Sequence, residues 1–325
     1  LDDELHLFYV SEEKDYPCFA YSGPDFKNKK VVWEKGGGTM SMIPIPQRKN
    51  QFLAVNGFYL KESPSGAHLT WVTYDKSTGF TFKDILYLPY LHRFDLIESD
   101  GQVYFIGGTI AHTKKDKEDW SDPGKIYGAL LPKDLNEGLN LTVIQEGLSR
   151  NHGYSRSSAQ DGGYFTADQG IFKVTVPSKT STWKVEQIMD KPIGEIALID
   201  IDNDGQEELM TIEPFHGNVI KIYKKINVLY QDVYSYPYVI DFAHTLVGAK
   251  IRGVNSFIGG VRREAADLFM VQYLDGKYVT TIIDKGVGPA NLNVVNLKDC
   301  DLIHSSNHTQ NEAAVYEIRD EENHA

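Results

Sequence analysis

Residues 194–225 read GEIALIDIDNDGQEELMTIEPFHGNVIKIYKK, and three short runs within them alternate apolar and polar positions. Runs 196–199, 208–212 and 219–224 are predicted strands, since side chains of a strand point to opposite faces in turn. The first turn between them is Asp200-x-Asp202-x-Asp204-Gly205, with Glu208 three residues further on. Side-chain oxygens at every second position can fold round one hard cation, and glycine permits the sharp bend. A helix–loop–helix calcium site needs a bidentate Glu at loop position twelve, where Thr211 stands, and strands flank this loop. The reading is therefore strand, acidic cation turn, strand, with a polar hairpin that binds nothing as the plainer alternative.

The rest of the chain is written in the same style. It has 19 Tyr, 15 Phe, 4 Trp and 28 Gly in 325 residues, a composition suited to many short strands joined by tight turns. No amphipathic helix longer than two turns stands out, which leaves one large all-β domain or two ordinary ones. A net charge of −12 argues against nucleic acid, whose phosphates need a basic stripe, and against an anionic membrane surface. No apolar run has the length of a membrane span. Cys18 and Cys300 make no disulfide scaffold and read as packed thiols. Low cysteine favours a reducing, cytoplasmic setting, with a secreted mature chain as the alternative, because Asn140-Leu-Thr142 and Asn307-His-Thr309 are glycosylation-type triplets. The first residue is Leu1, and the expectation is that residues upstream were processed, cut or omitted.

A diffuse repeat runs through the chain. His92 precedes Phe105-Ile-Gly-Gly108 by the same interval that separates His244 from Phe257-Ile-Gly-Gly260, and His152 stands likewise before Phe165. Aligning on these positions divides the chain into seven units. The first holds LDDELHLFYV, CFAYS and VVWEK, and the others start near Gly38, His92, His152, Gly194, His244 and Ala290. Such spacing suits four-stranded antiparallel blades, and the expectation is a single seven-bladed β-propeller over residues 1–325. A ring of blades leaves only short protected edges. Unit one lacks its innermost strand and unit seven its outermost, so residues before Leu1 are expected to supply the missing piece. The charged segment between Thr113 and Lys125 is a solvated loop able to rim a site.

Topology then places the chemistry. In a blade the innermost strand starts at the face to which the loop between strands two and three returns, while the turn between strands one and two lies opposite. The Asp200, Asp202, Asp204 and Glu208 turn is thus a structural calcium loop on the far face. His92, His152 and His244 share one repeat position, the start of the innermost strand, and are expected to ring the channel with His216 nearby. Gly38, Gly194 and Ala290 hold that position in other units and leave room for a ligand. His112, His216 and His308 fall in loops opening on the same face. Converging imidazoles suit a borderline divalent ion, zinc or manganese. Tyr154 or His112 would move a proton, and Arg93, Arg156 or Arg262 would hold a carboxylate or ketone. For each of these the ordinary alternative is a hydrogen-bonded structural residue. No nucleophile elbow, phosphate loop or dinucleotide fingerprint occurs. A glycosidase would need two carboxylates across a cleft, and Glu213 and Asp95 are the ones that can be placed.

Units carrying HTLVGAKI…SFIGGVRR, IALIDIDNDGQEEL and EPFHGNVIKIY resemble FG-GAP/VCBS-type seven-bladed propellers. Among these, the enzymes they are similar to are the aldos-2-ulose (1,5-anhydrofructose) dehydratases, sugar hydro-lyases with a metal-assisted elimination site. The resemblance implies a metal-assisted lyase acting on a small oxidised or acidic sugar or oligosaccharide. The resemblance does not extend to the second C-terminal domain of the fungal enzymes, and so it implies no isomerase step. Oligogalacturonate lyases share the architecture and place metal-binding histidines in the channel. A non-catalytic carbohydrate- or protein-binding propeller and a glycoside hydrolase remain open beside the lyase, since fold does not determine function.

Overall fold

Strand follows strand through tight hairpins, and the turn residues explain why. Asp100-Gly101, Arg252-Gly253 and Asp275-Gly276 each put two successive residues at positive φ, the backbone of a two-residue turn whose twist matches antiparallel strands. The computed structural model describes residues 1–320, and residues 321–325 of the expected span lie outside the described residues.

Seven antiparallel sheets result. The first holds β1 (Leu7–Tyr9), β2 (Cys18–Ser22) and β3 (Asn28–Trp33). The second holds β4 (Met42–Pro44), β5 (Gln51–Asn56), β6 (His68–Asp75) and β7 (Gly79–Tyr87). The third has five strands: β8 (Leu91–Ser99), β9 (Gln102–Thr109), β10 (Ala111–Thr113), β11 (Asp122–Leu130) and β12 (Thr142–Leu148). The fourth is β13 (Tyr154–Arg156), β14 (Gly162–Ala167), β15 (Gly170–Thr175) and β16 (Lys184–Met189). The fifth is β17 (Glu195–Ile199), β18 (Glu208–Glu213), β19 (Val219–Ile226) and β20 (Leu229–Ser235). The sixth is β21 (Asp241–Ile251), β22 (Val254–Arg263), β23 (Leu268–Leu274) and β24 (Lys277–Asp284). The seventh is β25 (Pro289–Asn296), β26 (Asp301–Asn307) and β27 (Glu312–Ile318).

The fold is an all-β seven-bladed propeller, mostly of four-stranded blades. The sequence reading counts four strands in the third unit, and the structure adds a fifth. Its extra strand, β10, pairs with β11 across a shifted register, because the insertion between Thr113 and Lys125 folds back on the sheet. Trp120 anchors that insertion, with the Lys114 ammonium 3.2 Å and the Arg150 guanidinium 5.0 Å from its ring centre.

Internal contacts group the chain into two units. One comprises residues 1–152, 159–167 and 172–188, the other residues 153–158, 168–171 and 189–325. In the first, the faces of sheets one and two close over Cys18, Ala20, Val32, Phe52, Ala54 and Val72. In the second, sheets five and six enclose Met210, Ile212, Ile222, Phe257, Phe269 and Val271, and sheets six and seven enclose Ile258, Leu268, Leu292 and Ile303. Within the second unit β13 packs on β17, β17 on β21 and β21 on β25, so first strands are the inner strands of their blades. Cys18 and Cys300 are buried free thiols, and burial pushes both thiols up.

Candidate functional site

The repeat position marked by histidine has a structural meaning. Between Leu91 and Arg93 the pairing of β8 with β9 slips by one residue, and His92 is the extra one. Between Ala243 and Thr245 the pairing of β21 with β22 slips in the same way at His244. Ala290, the equivalent residue of the seventh unit, sits at the same slip between Pro289 and Asn291. A bulge turns one side chain out of the strand alternation, which is how a sheet aims a residue at its rim.

Each bulged imidazole then grips the equivalent position of the following blade. His92 Nδ1 lies 3.1 Å from the His152 carbonyl oxygen in the first unit. His244 Nδ1 lies 2.7 Å from the Ala290 carbonyl oxygen in the second. A carbonyl can only accept, so Nδ1 carries the proton in both rings and Nε2 is the lone-pair nitrogen. Metal-binding histidines have this arrangement, with one nitrogen donating to a carbonyl and the other presented to the ion.

The rings also meet in pairs within each unit. In the first, His92 and His152 have ring centres 4.5 Å apart, and Phe58 packs edge-on 5.2 Å from His92. Both histidines are buried, and the His152 N–H donates to Thr166 O at 3.1 Å. In the second, His216 stacks 4.9 Å from His244, 3.9 Å from Phe215 and 4.4 Å from Phe242. His216 and Phe242 both hold positive φ, +48° and +58°, a conformation that costs energy in a non-glycine residue and clusters at ligand sites. The Arg262 and Arg263 guanidinium carbons lie 5.1 and 4.4 Å from the Phe242 ring centre. The second unit therefore carries an aromatic and imidazole ladder beside two cations.

His112, Arg93, Tyr154, Arg156, Glu213 and Asp95 differ in exposure and in partners. His112 is exposed, and its Nδ1 lies 3.0 Å from Asp122 Oδ2. It helps line a cleft of about 310 Å³ with Ser65, Tyr90 and Tyr127, and neither His92 nor His152 lines that cleft. A larger cleft, about 680 Å³, lies beside Leu1, His6, Lys30 and Tyr74, again away from the paired histidines. Arg93 donates to Met40 O at 3.2 Å. Tyr154 is half-buried with its N–H on Glu195 Oε1 at 3.2 Å, and Arg156 is exposed. Glu213 takes the Lys191 ammonium at 2.6 Å and the Tyr223 and Thr211 hydroxyls at 2.8 Å each, which makes it a packed structural carboxylate. Asp95 is buried and accepts from Leu96 N.

The acidic turn folds as its spacing requires, since Asp200 accepts from Asp204 N and Gly205 N. Asp200, Asp202 and Glu208 each bring one oxygen to a common point. The Lys224 ammonium nevertheless sits among these groups, bonded to Asp202 Oδ2, to Asp204 Oδ2 at 2.8 Å and to Glu208 Oε1 at 3.0 Å. Burial pushes Glu208 above the usual carboxylate range, Lys224 holds Asp204 below it, and burial of Lys224 is outweighed by its three hydrogen bonds, which raise it. The Lys224 ammonium thus shares Asp202 and Glu208 with the group of carboxylates that could hold a metal ion.

Sequence reading missed Phe242, Phe215 and Lys224. Nothing in the strand period marks the two phenylalanines, because their position follows from left-handed backbone at a loop and a strand start. Lys224 was legible in principle: one step beyond the pair Leu209↔Tyr223, antiparallel register sets it across from Glu208.

No protein-family model and no curated protein matches the chain. Solved propeller structures do. A candidate 6-phosphogluconolactonase from Bacteroides uniformis is similar at 11% identity and a TM-score of 0.63, over 98% of this chain and 97% of that one. The β-propeller domain of Cps50 from Myceliophteria thermophila is similar at 10% identity and a TM-score of 0.60, over 96% and 93%. Trypanosoma rangeli sialidase is similar at 11% identity and a TM-score of 0.53, over 98% of this chain but 59% of its own. At such identities the likeness shows the propeller fold. Among the described residues, no helix is long and apolar enough to cross a membrane.

Proposed function

We propose that this propeller acts on a small acidic or oxidised sugar, as a metal-assisted carbon–oxygen lyase. The observation that carries the reading is the repeated bulge at which His92 and His244 each turn Nδ1 to a backbone carbonyl, an arrangement in which Nε2 of His244 would be the ligand nitrogen. His216 and His244, whose ring centres lie 4.9 Å apart in the second unit, are the proposed metal ligands there, and in the first unit His92 braces the His152 backbone through its carbonyl. A bound zinc or manganese ion would supply Lewis-acid polarisation of a carbonyl or carboxylate. Arg262, held over Phe242, is the group proposed to hold the substrate carboxylate. The Phe215–His216–Phe242 ladder gives a flat face for a sugar ring.

Tyr154 is the proposed proton carrier. In the elimination, the Tyr154 phenolate would take the proton from the carbon beside the carbonyl, and the freed electron pair would form a carbon–carbon double bond. The carbon–oxygen bond would break with the leaving oxygen keeping its pair and taking the proton from Tyr154, which regenerates the phenolate. His112 is set aside for this role, since Asp122 holds its ring at a different cleft. The names of similar structures include sugar-acting enzymes, among them a sialidase with sialic acid bound, which supports an acidic sugar without naming the reaction.

The test is elemental analysis of the purified protein followed by ultraviolet absorbance of unsaturated products from uronides and keto-sugars. We expect bound zinc or manganese, its loss in His216→Ala and His244→Ala, and at least a hundredfold loss of turnover in Tyr154→Phe, the scale of one proton-transfer group. Turnover by metal-free protein, unchanged in His244→Ala, would refute the lyase. Sugar binding with no turnover would instead make the chain a carbohydrate-binding propeller.

A further inference from the structure

The acidic turn between β17 and β18 raises a question independent of the proposed reaction, namely which cation holds it. A primary ammonium has three N–H donors. Lys224 meets three carboxylates from three residues, Asp202, Asp204 and Glu208, so donors and acceptors match one for one. The Lys224 side chain is only 19% exposed and that of Glu208 is fully buried. A carboxylate in such a place needs a fixed counter-charge. The second Glu208 oxygen accepts the Ile201 N–H at 3.0 Å.

Backbone and side-chain donors secure most of the turn, while Asp202 Oδ1 is buried without a hydrogen-bond partner. Asp200 closes it through two backbone N–H groups, at 3.0 and 2.9 Å, and Asp204 Oδ1 accepts from Gln206 N at 2.9 Å. From β22, Asn255 Nδ2 donates to Asp200 O and to Asn203 Oδ1. Lys224 itself is borne on β19, where pairing with Gln231 of β20 fixes its backbone. The ammonium is thus tethered by a strand of the same sheet.

We propose that Lys224 is the resident cation of this turn, which makes the turn independent of calcium, and that removing its ammonium opens a calcium site in its place. The carboxylates have metal-loop spacing, and the strand supplies the charge.

Terbium luminescence and thermal melting, each with calcium or with a calcium-selective chelator, test this on the full chain. The wild-type protein is expected to melt at the same temperature in both media and to show no saturable terbium signal from this turn. Lys224→Met is expected to lose on the order of 5 °C in chelator, the scale for removing one partner of a buried ion pair in a chain of this length. Millimolar calcium should restore most of that loss and give a terbium signal that a further Asp202→Asn change abolishes. Lys224→Arg should behave as wild type toward calcium. Saturable wild-type calcium binding that Asp202→Asn removes would overturn the proposal. So would a Lys224→Met protein no more responsive to calcium than wild type. Should Lys224→Met fail to fold without calcium and fold with it, the proposal stands; failure in both media overturns the claim that calcium can take the place of the ammonium. Neither turnover nor channel metal enters these readouts, so their outcome leaves the lyase reading untouched.

Discussion

At the scale of single residues, burial decides what a polar group can do, and the chain contains both a satisfied and an unsatisfied example. Glu213 has three donors and is structural. Asp267 is 3% exposed, its Oδ1 has no hydrogen-bond partner, and its Oδ2 lies 3.5 Å from the Tyr236 hydroxyl. Burial pushes its pKa above the ordinary 3.8, against the opposing pull of Lys285. A carboxyl raised in the folded state favours folding below its ordinary pKa and loses that contribution as pH climbs through the folded value. At neutral pH the buried charge therefore costs stability. Asp267→Asn keeps the shape and removes the charge. We expect it to melt higher at pH 7, by a gain of about 1 kcal/mol, and to show a flatter fall of stability above about pH 4. Melting curves across that pH range check both; a variant less stable at neutral pH would mean the charge has a stabilising partner.

At the scale of elements, the recurring Phe-Ile-Gly-Gly was the most legible feature of the sequence, and the structure gives its physical reason. Phe105, Phe165 and Phe257 are all fully buried, one in the second strand of each of three blades. The second glycine serves the approach of the next blade. A Cβ on Gly108 would lie 2.7 Å from Asn151 Nδ2 and 3.1 Å from the Phe165 ring. One on Gly260 would lie 2.5 Å from Pro289 Cβ and 3.0 Å from Thr245 Cγ2. Asn151 and Pro289 each stand one residue before the hub position, so the motif marks where inner strands come close. Gly260→Ala is expected to destabilise by roughly 1–3 kcal/mol, the cost of overpacking a close contact, read as a lower urea midpoint at unchanged slope. An unchanged midpoint would show that Pro289 can move aside. The bulges at His92 and His244 were invisible at this scale, because alternation of apolar residues does not record a one-residue slip. What the sequence did carry was their common interval to the buried Phe.

At the scale of the whole molecule, seven sheets were legible because period-two runs and turn residues recur at blade-like spacing, while the chemistry was less so because it depends on backbone detail. His216 and Phe242 show this: left-handed φ at both brings their rings together, and no spacing rule foretells it. Lys224 shows the complementary limit, since the spacing of oxygens alone does not record that an ammonium from another strand reaches the same carboxylates. The same reasoning makes the proposed histidine metal a question of global stability. A ligand that binds only the folded chain stabilises it by RT ln(1 + [L]/Kd), about 2.7 kcal/mol at a hundredfold excess over Kd. With an unfolding entropy proportional to length, that corresponds to a rise of about 4 °C in the melting temperature of a chain this size. Zinc or manganese should produce this shift in the wild type and lose it in His244→Ala, whereas calcium should produce neither effect as long as Lys224 is present. Differential scanning calorimetry of stripped protein, reloaded with one metal at a time, separates the two sites. A calcium shift that survives His244→Ala would move the metal to the acidic turn, and a zinc shift indifferent to His244 would remove it from the imidazole ladder.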